Sequence, residues 1–301
     1  MITNMEATSF RPRRPWLAAL LSLLYVPVGQ IYAGRLRRGL CLWSVGGCLL
    51  PILAYCSVAL PIGRSGFVLL VLCALAFPLY SATDAFALAR RFRHAPPKPY
   101  QRWWAYVAFF LGFAWATSVV TVIDRTFIAK TFVVPTHAMA PTIMPGDRIL
   151  VDKLWYHREH LSRGQLVVFR GNGPKSLMYV KRLAGLPGDE IEIKNERVFI
   201  NGAEWDDPHA VLDGPPPPPF LYDKVVNHKP VKVPPDCFYV LGDNRRASMD
   251  SRFTGPIPLS NLYGIGRMIF WSQERTFPDP SDATRYNSGP IRWDRIGLRL
   301  D

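Results

Sequence analysis

The sequence predicts an N-terminal α-helical membrane domain followed by a mainly-β domain. Three observations carry this. Long apolar runs fill the first 125 residues and then stop. Basic residues gather between those runs, so that up to residue 102 twelve Lys and Arg stand against only Glu6 and Asp84. Beyond Asp124 the pattern changes to short β-branched or alternating runs punctuated by Gly and Pro. A net charge of +13 in a folded domain would point to nucleic acid. Its concentration beside apolar runs instead follows the positive-inside rule, and no nucleic-acid partner is expected.

Three apolar runs are long enough to cross a bilayer: 40–62, 67–88 and 103–125. A fourth, 16–33, is shorter, contains Pro27 and Gly29, and has arginines on both sides. A segment with positive charge at both ends resists crossing, so it is expected to be a re-entrant hairpin or an interfacial helix on the cytoplasmic side. Arg64 stands alone between the first two long runs, whereas Arg90, Arg91, Arg93, Lys98 and Arg102 crowd before the third. The first loop is therefore expected outside and the second inside, which delivers everything after Asp124 to the outer face. Trp103, Trp104 and Tyr106 sit where interfacial rings belong. The segment from Gly29 to Gly34 is expected to pack small residues between helices. A polytopic start without an early small-residue cleavage site is not a cleavable signal peptide.

Downstream, strands are expected at Phe132–Val134, Arg148–Val151, Gln165–Phe169, Tyr179–Leu183, Glu190–Ile193, Val198–Ile200, Cys237–Leu241 and Ile265–Phe270. Between residues 203 and 233 the strand signal lapses around Pro215–Pro219, which is read as a stiff surface insertion. The expected organisation is a membrane domain over 1–102, an anchor over 103–125, a β domain over 126–275 and a poorly ordered tail over 276–301. Cys41, Cys48, Cys56 and Cys73 lie in the apolar region and Cys237 is alone in the β domain, so no disulfide framework is available there. His157 and His160 are three apart with only Asp152 and Glu159 nearby, a surface pair rather than a metal site, and no cofactor is expected.

Three blocks stand out: Val134-Pro-Thr-His-Ala-Met-Ala-Pro-Thr142, followed by Pro145-Gly-Asp-Arg-Ile-Leu-Val-Asp-Lys153; Tyr179-Val-Lys-Arg-Leu-Ala-Gly-Leu-Pro-Gly-Asp189; and Leu241-Gly-Asp-Asn-Arg-Arg-Ala-Ser-Met-Asp-Ser-Arg252. In this order, after a membrane anchor, they resemble bacterial signal peptidase I, the Ser/Lys leader peptidases, over about residues 120–272. The resemblance implies a signal-peptidase-type catalytic domain on the extracytoplasmic side of the bacterial inner membrane. It implies a serine endopeptidase, a hydrolase that removes signal peptides from exported preproteins after small residues. Signal peptides and the lipid bilayer are the implied partners, with the export machinery a further candidate. It places Lys181 on the general base, Ser248 on the hydroxyl that orients it and Thr136 on the oxyanion hole. Met139, Pro141, Arg182, Asp243, Asn244, Arg245, Asp250 and Arg252 fall on structural positions around the site. The family's nucleophilic serine corresponds to Ala138.

The residues support part of this independently. Lys181 lies in an apolar strand, and burial disfavours a charged amine, which is what a lysine needs to act as a base near neutral pH. A methyl group at 138 cannot attack a carbonyl, and losing the nucleophile costs a serine protease on the order of 10⁶ in turnover. Three explanations stay open: a pseudoenzyme that still binds signal peptides, an alteration that traps substrate, or relocation of the nucleophile to Thr136. Two residues along an extended strand, Thr136 would share a face with position 138, but its offset of roughly 6.5 Å is large for attack.

Overall fold

The computed structural model describes residues 12–59, 63–123, 129–157, 159–171, 177–276 and 287–300. It divides into two compact units, one of residues 1–57 with 66–126 and one of 58–65 with 127–301.

The first unit is helical. Segment 16–33 forms two short helices, α1 (Pro15–Leu24) and α2 (Val26–Tyr32), separated by an extended Tyr25 (φ −157°, ψ 118°). Pro15 and Pro27 each sit in a first turn, where a missing N–H costs nothing. Gly29 lets the pair fold together, since a Cβ there would collide with the Ala18 carbonyl. Ala18, Ala33, Ala85 and Ala89 form the buried cluster, so small residues do pack between helices as expected. Three longer helices follow: α3 (Leu36–Ala59), α4 (Arg64–Arg91) and α5 (Trp103–Ile123). They overlap the three apolar runs at 40–62, 67–88 and 103–125, of which residues 60–62 and 124–125 lie outside the described residues. Among the described residues only α4 is long and apolar enough to cross a membrane, with a mean hydropathy of 2.0 over its best window. Ser22, Gln30 and Ser81 are buried together and satisfy one another, with Ser22 Oγ 2.8 Å from Ser81 Oγ and Gln30 Nε2 donating to the Ser81 carbonyl at 2.8 Å.

The second unit is mainly β. Its strands are β1 (Ala129–Val133), β2 (Asp147–Asp152), β3 (Leu166–Arg170), β4 (Met178–Gly185), β5 (Glu190–Lys194), β6 (Arg197–Ile200), β7 (Ala203–Glu204), β8 (Val231–Lys232), β9 (Cys237–Leu241), β10 (Ile257–Pro258), β11 (Leu262–Thr276) and β12 (Asn287–Ile291). One sheet runs β1-β2-β11-β3-β4-β9-β10 with β12 added to β11, and a smaller one runs β7-β6-β5-β8. The large sheet is apolar on both faces, which explains the unbroken run Leu166-Val-Val-Phe169. Leu166 and Val168 join a core with Met139, Ile149 and Ile269, while Val167 and Phe169 join another with Leu183, Phe238 and Val240.

All eight expected strands are present, within three residues at their N-terminal edges. The structure departs from expectation in two places. Segment 203–233 contributes β7 and β8 to the small sheet, because pairing with longer neighbours compensates for two-residue strands that have no periodicity of their own. The tail is not loose where it is described: β12 pairs with β11, Leu300 enters the core, and Arg292 and Arg295 hold the buried Asp147. Its arginines read as solvated in the sequence, yet they end on a carboxylate almost 150 residues away.

Candidate active site

The first block leaves β1 through Val134, whose N–H donates to the Asp147 carbonyl at 2.9 Å while Gly146 N–H donates back to Val134 at 2.8 Å. Gly146 adopts φ +90° and has no room for a Cβ against the Gln273 carbonyl, so glycine is required to close this loop. Between these ties the chain bends and turns, with Ile143 N–H donating to Met139 at 2.8 Å and both side chains sunk in the core. Thr136 and Ala138 therefore do not lie along one extended strand, and the shared-face relation expected of them is absent. Thr136 is exposed and Ala138 is buried. Pro141 follows a cis peptide bond in the same turn.

Asp147 anchors this loop from below. It accepts from Met144 N–H at 2.8 Å and Ser272 Oγ at 2.6 Å, and pairs with Arg295 at 2.7 Å and Arg292 at 3.2 Å. The same two arginines donate to the Thr142 and Pro145 carbonyls at 2.8 and 2.6 Å. The block-one sequence contains Asp147, but nothing in the sequence linked it to the tail.

Lys181 and Arg182 are neighbours on β4 and so face opposite sides of the sheet. Arg182 is fully buried and grips Asp243 through two parallel hydrogen bonds, both 2.7 Å. This bidentate geometry ties β4 to the third block. Lys181, 4% exposed, donates from Nζ to Ser248 Oγ at 2.9 Å. Burial is the main reason its pKa falls to about 8. Arg252 lowers it further, while Asp250 and Asp243 oppose the shift.

The third block is a tight loop after β9, stitched by its own charges. Asp250 accepts from Gly242 N–H at 2.9 Å and from Arg252 Nε and Nη2 at 2.8 Å each, and caps the helical turn Ser251–Thr254. Burial alone would raise the Asp250 pKa, but the Arg252 guanidinium and the Gly242 N–H bring it below the usual carboxylate range. Arg252 Nη2 reaches the Arg245 carbonyl at 2.6 Å, and Arg245 Nε reaches the Gly242 carbonyl at 3.0 Å. Asn244 N–H donates to the Ala138 carbonyl at 3.2 Å, joining blocks one and three at the backbone. Gly242 packs so closely there that a Cβ would strike Ser248 Oγ and the Ala138 carbonyl oxygen.

The three blocks thus converge in the folded unit. Thr136, Ala138 and Lys181 line one groove of about 430 Å³, whose walls are mostly apolar side chains such as Ile149, Val168, Val180 and Met249. The groove presents the buried Lys181 amine among mostly apolar walls. Sequence reasoning assigned no role to Gly242, Asp147, Arg292, Arg295 or Asp207, which pairs with Arg245. Among the described residues no group of three or more His, Cys, Asp and Glu is placed to hold a metal ion, and the His157 side chain lies outside them.

Comparison with known proteins agrees with this geometry. The profile of the family described as signal peptidase, peptidase S26, matches residues 103–271. The probable signal peptidase I-2 of Synechocystis sp. is 32% identical over 192 residues, covering 61% of this chain and 84% of that one. The signal peptidase I of Leptolyngbya laminosa is 35% identical over 158 residues, covering 50% and 73%. Signal peptidase I P of Bacillus subtilis subsp. natto is 37% identical over 154 residues, covering 51% and 82%. With its blocks gathered into one groove on a mainly-β unit, and a profile match across more than half its length, this chain belongs to the signal peptidase I family, peptidase S26.

Proposed function

We propose that this chain is a membrane-bound signal-peptidase site that receives the signal peptides of exported preproteins but, with Ala138 in place of the nucleophile, lacks the hydroxyl for the hydrolytic step. The single observation that carries this is the buried Lys181 amine, hydrogen-bonded to Ser248 at 2.9 Å and lining the same groove as Ala138. A pKa of about 8 leaves a useful fraction of that amine neutral at physiological pH, which is the state a general base requires. Ser248 fixes the direction of the amine. Thr136 and the backbone N–H at 138 are the proposed oxyanion donors, and Met139 and Pro141 shape the turn between them. Arg182–Asp243 and Arg252–Asp250, with Asn244 and Arg245, keep the loop that carries Ser248 in place. In a chain with serine at 138, Lys181 would take the hydroxyl proton as the oxygen attacks the peptide carbonyl. The amine would then deliver that proton to the leaving nitrogen, and water would release the acyl group in a second cycle.

The proposed setting is multi-pass, with α3, α4 and α5 as spans over residues 1–125 and the β unit over 126–275 on the outer face of a bacterial inner membrane. Arginine clusters on one side of the spans support this. The export machinery is a further proposed partner. Installing the missing hydroxyl is the direct test: Ala138→Ser is expected to create cleavage of a preprotein with an Ala-x-Ala site, and Lys181→Ala in that background to remove it. A catalytically silent signal-peptide binder is the second reading, favoured by Ala138 itself. It would be correct if both forms bind signal peptide, neither cleaves, and Lys181→Ala leaves binding unchanged.

A further inference from the structure

The inserted segment 203–233 looks peripheral in sequence, but residues 205–211 lie directly behind the third block. The Asp207 side chain is 3% exposed and pairs with the guanidinium of Arg245, whose side chain is 6% exposed. Asp207 also accepts from His209 N–H at 3.1 Å, and its carbonyl accepts from Ala210 N–H at 3.1 Å, so the carboxylate projects from a folded turn. Four residues on from Asp207, Val211 N–H donates to the Asp243 carbonyl at 2.8 Å and Arg245 N–H donates to the Val211 carbonyl at 2.9 Å. These two bonds form a short parallel bridge centred on Asn244. Trp205, just before the turn, packs against the core of the small sheet and lies 5.9 Å from the Arg245 guanidinium carbon.

Each of these ties ends on a group that touches the site. Arg245 Nε holds the Gly242 carbonyl at 3.0 Å, and Gly242 is the residue against which Ser248 Oγ packs. Asn244, the centre of the Val211 bridge, holds the Ala138 carbonyl through its own N–H at 3.2 Å. Asp243 and Arg245, on either side, are the residues the strap grips. We propose that residues 207–211 form a strap that positions the loop carrying Ser248, and that Asp207 is a positioning residue for the Lys181–Ser248 pair.

The physics is one of replacement. Removing the Asp207 charge leaves Arg245 as a buried cation without its partner, an arrangement that proteins relieve by rearranging. The nearest other carboxylates, Asp243 and Asp250, already hold Arg182 and Arg252. Arg245 can recover a partner only by drawing on one of them or by turning to solvent, and either move shifts Gly242 and the Ser248 loop. Water then gains access to Lys181, which relieves the burial that lowers its pKa.

The proposal rests on the assigned roles of Lys181 and Ser248, so its test has a readout that needs no cleavage. Competitive labelling of amines across pH, followed by mass spectrometry of the Lys181 peptide, is measured on the full chain with Ala138 in place. Asp207→Asn is expected to raise the Lys181 midpoint by about one pH unit or more, and Asp207→Glu to restore most of the difference. Val211→Pro, which removes the N–H bonded to Asp243, is expected to act in the same direction and serves if Asp207→Asn does not fold. In an Ala138→Ser background the same variants should lower kcat by about tenfold or more with KM within about twofold, because the groove walls are untouched. If Asp207→Asn and Val211→Pro both leave the Lys181 midpoint unmoved, the strap plays no positioning part and the proposal is overturned. If Ala138→Ser does not cleave at all, the proposed function fails while the titration still decides the strap.

Discussion

Replacing Lys181 by methionine is expected to stabilise the protein at neutral pH, and the gain should vanish in alkali. Lys181 is 4% exposed, and its pKa lies near 8 instead of the ordinary 10.5. The unfolded chain therefore binds a proton that the folded chain releases between those values, so stability rises with pH across that window and is flat above it. Below pH 8 the penalty for holding this amine in the groove is present in full. At 1.36 kcal/mol for each pH unit, the gap amounts to roughly 3 kcal/mol. Methionine has similar length and no charge, but leaves the Ser248 hydroxyl without the amine, at a cost of roughly 1 kcal/mol. The net gain of about 2 kcal/mol corresponds to a rise in Tm of roughly 4–8 °C for a unit of this size. Thermal unfolding of the β unit within the detergent-solubilised full chain, followed by tryptophan fluorescence at pH 6.5 and pH 10, measures it. The expected outcome is a large difference between variant and parent at the lower pH and almost none at the higher. An equal difference at both would show that Lys181 is solvated or fully paired, and would remove the basis for treating it as a base.

Other outcomes follow from the same geometry. Cleavage by Ala138→Ser should rise roughly fivefold from pH 7 to pH 8 and level off above about pH 9, since the neutral amine is the competent form; a pH-rate profile of kcat that is flat across this range refutes the role of Lys181. Asp243→Asn should destabilise the β unit by roughly 3–5 kcal/mol in denaturant unfolding, because Arg182 is left charged and fully buried, and the paired change Arg182→Met with Asp243→Leu should recover most of that loss. Reporter fusions at His94 and at the C-terminus should report opposite sides of the membrane, and finding both on one side would contradict the three-span arrangement.

Much of the site was legible because it is encoded in short, dense blocks. Lys181 was picked out by the blocks around it and by its apolar strand, and Ser248 and Asp250 lay in a run of turn-forming polar residues after β9. That residue 138 is an alanine was also visible at once, because the identity of a side chain is a local fact. The relation between Thr136 and Ala138 was not visible. These residues bend and turn where their spacing implies an extended strand, since the anchors at Met139 and Ile143 lie in a core that only the folded sheet creates.

By itself the sequence determined the longer strands and helices and the short blocks that carry the family resemblance, because periodicity, β-branching and turn residues act over a few neighbouring positions. The strands, the long apolar helices and the residues of the three blocks belong to that local code. Tertiary structure alone decided which distant charges meet. Asp147 is held by Arg292 and Arg295, Asp207 by Arg245, and Arg182 by Asp243, pairs separated by 38 to 148 residues. An arginine in a polar segment has the same local signature whether it is solvated or buried. Only closure of the sheet removes water from its partner and makes the pair a fixed part of the site.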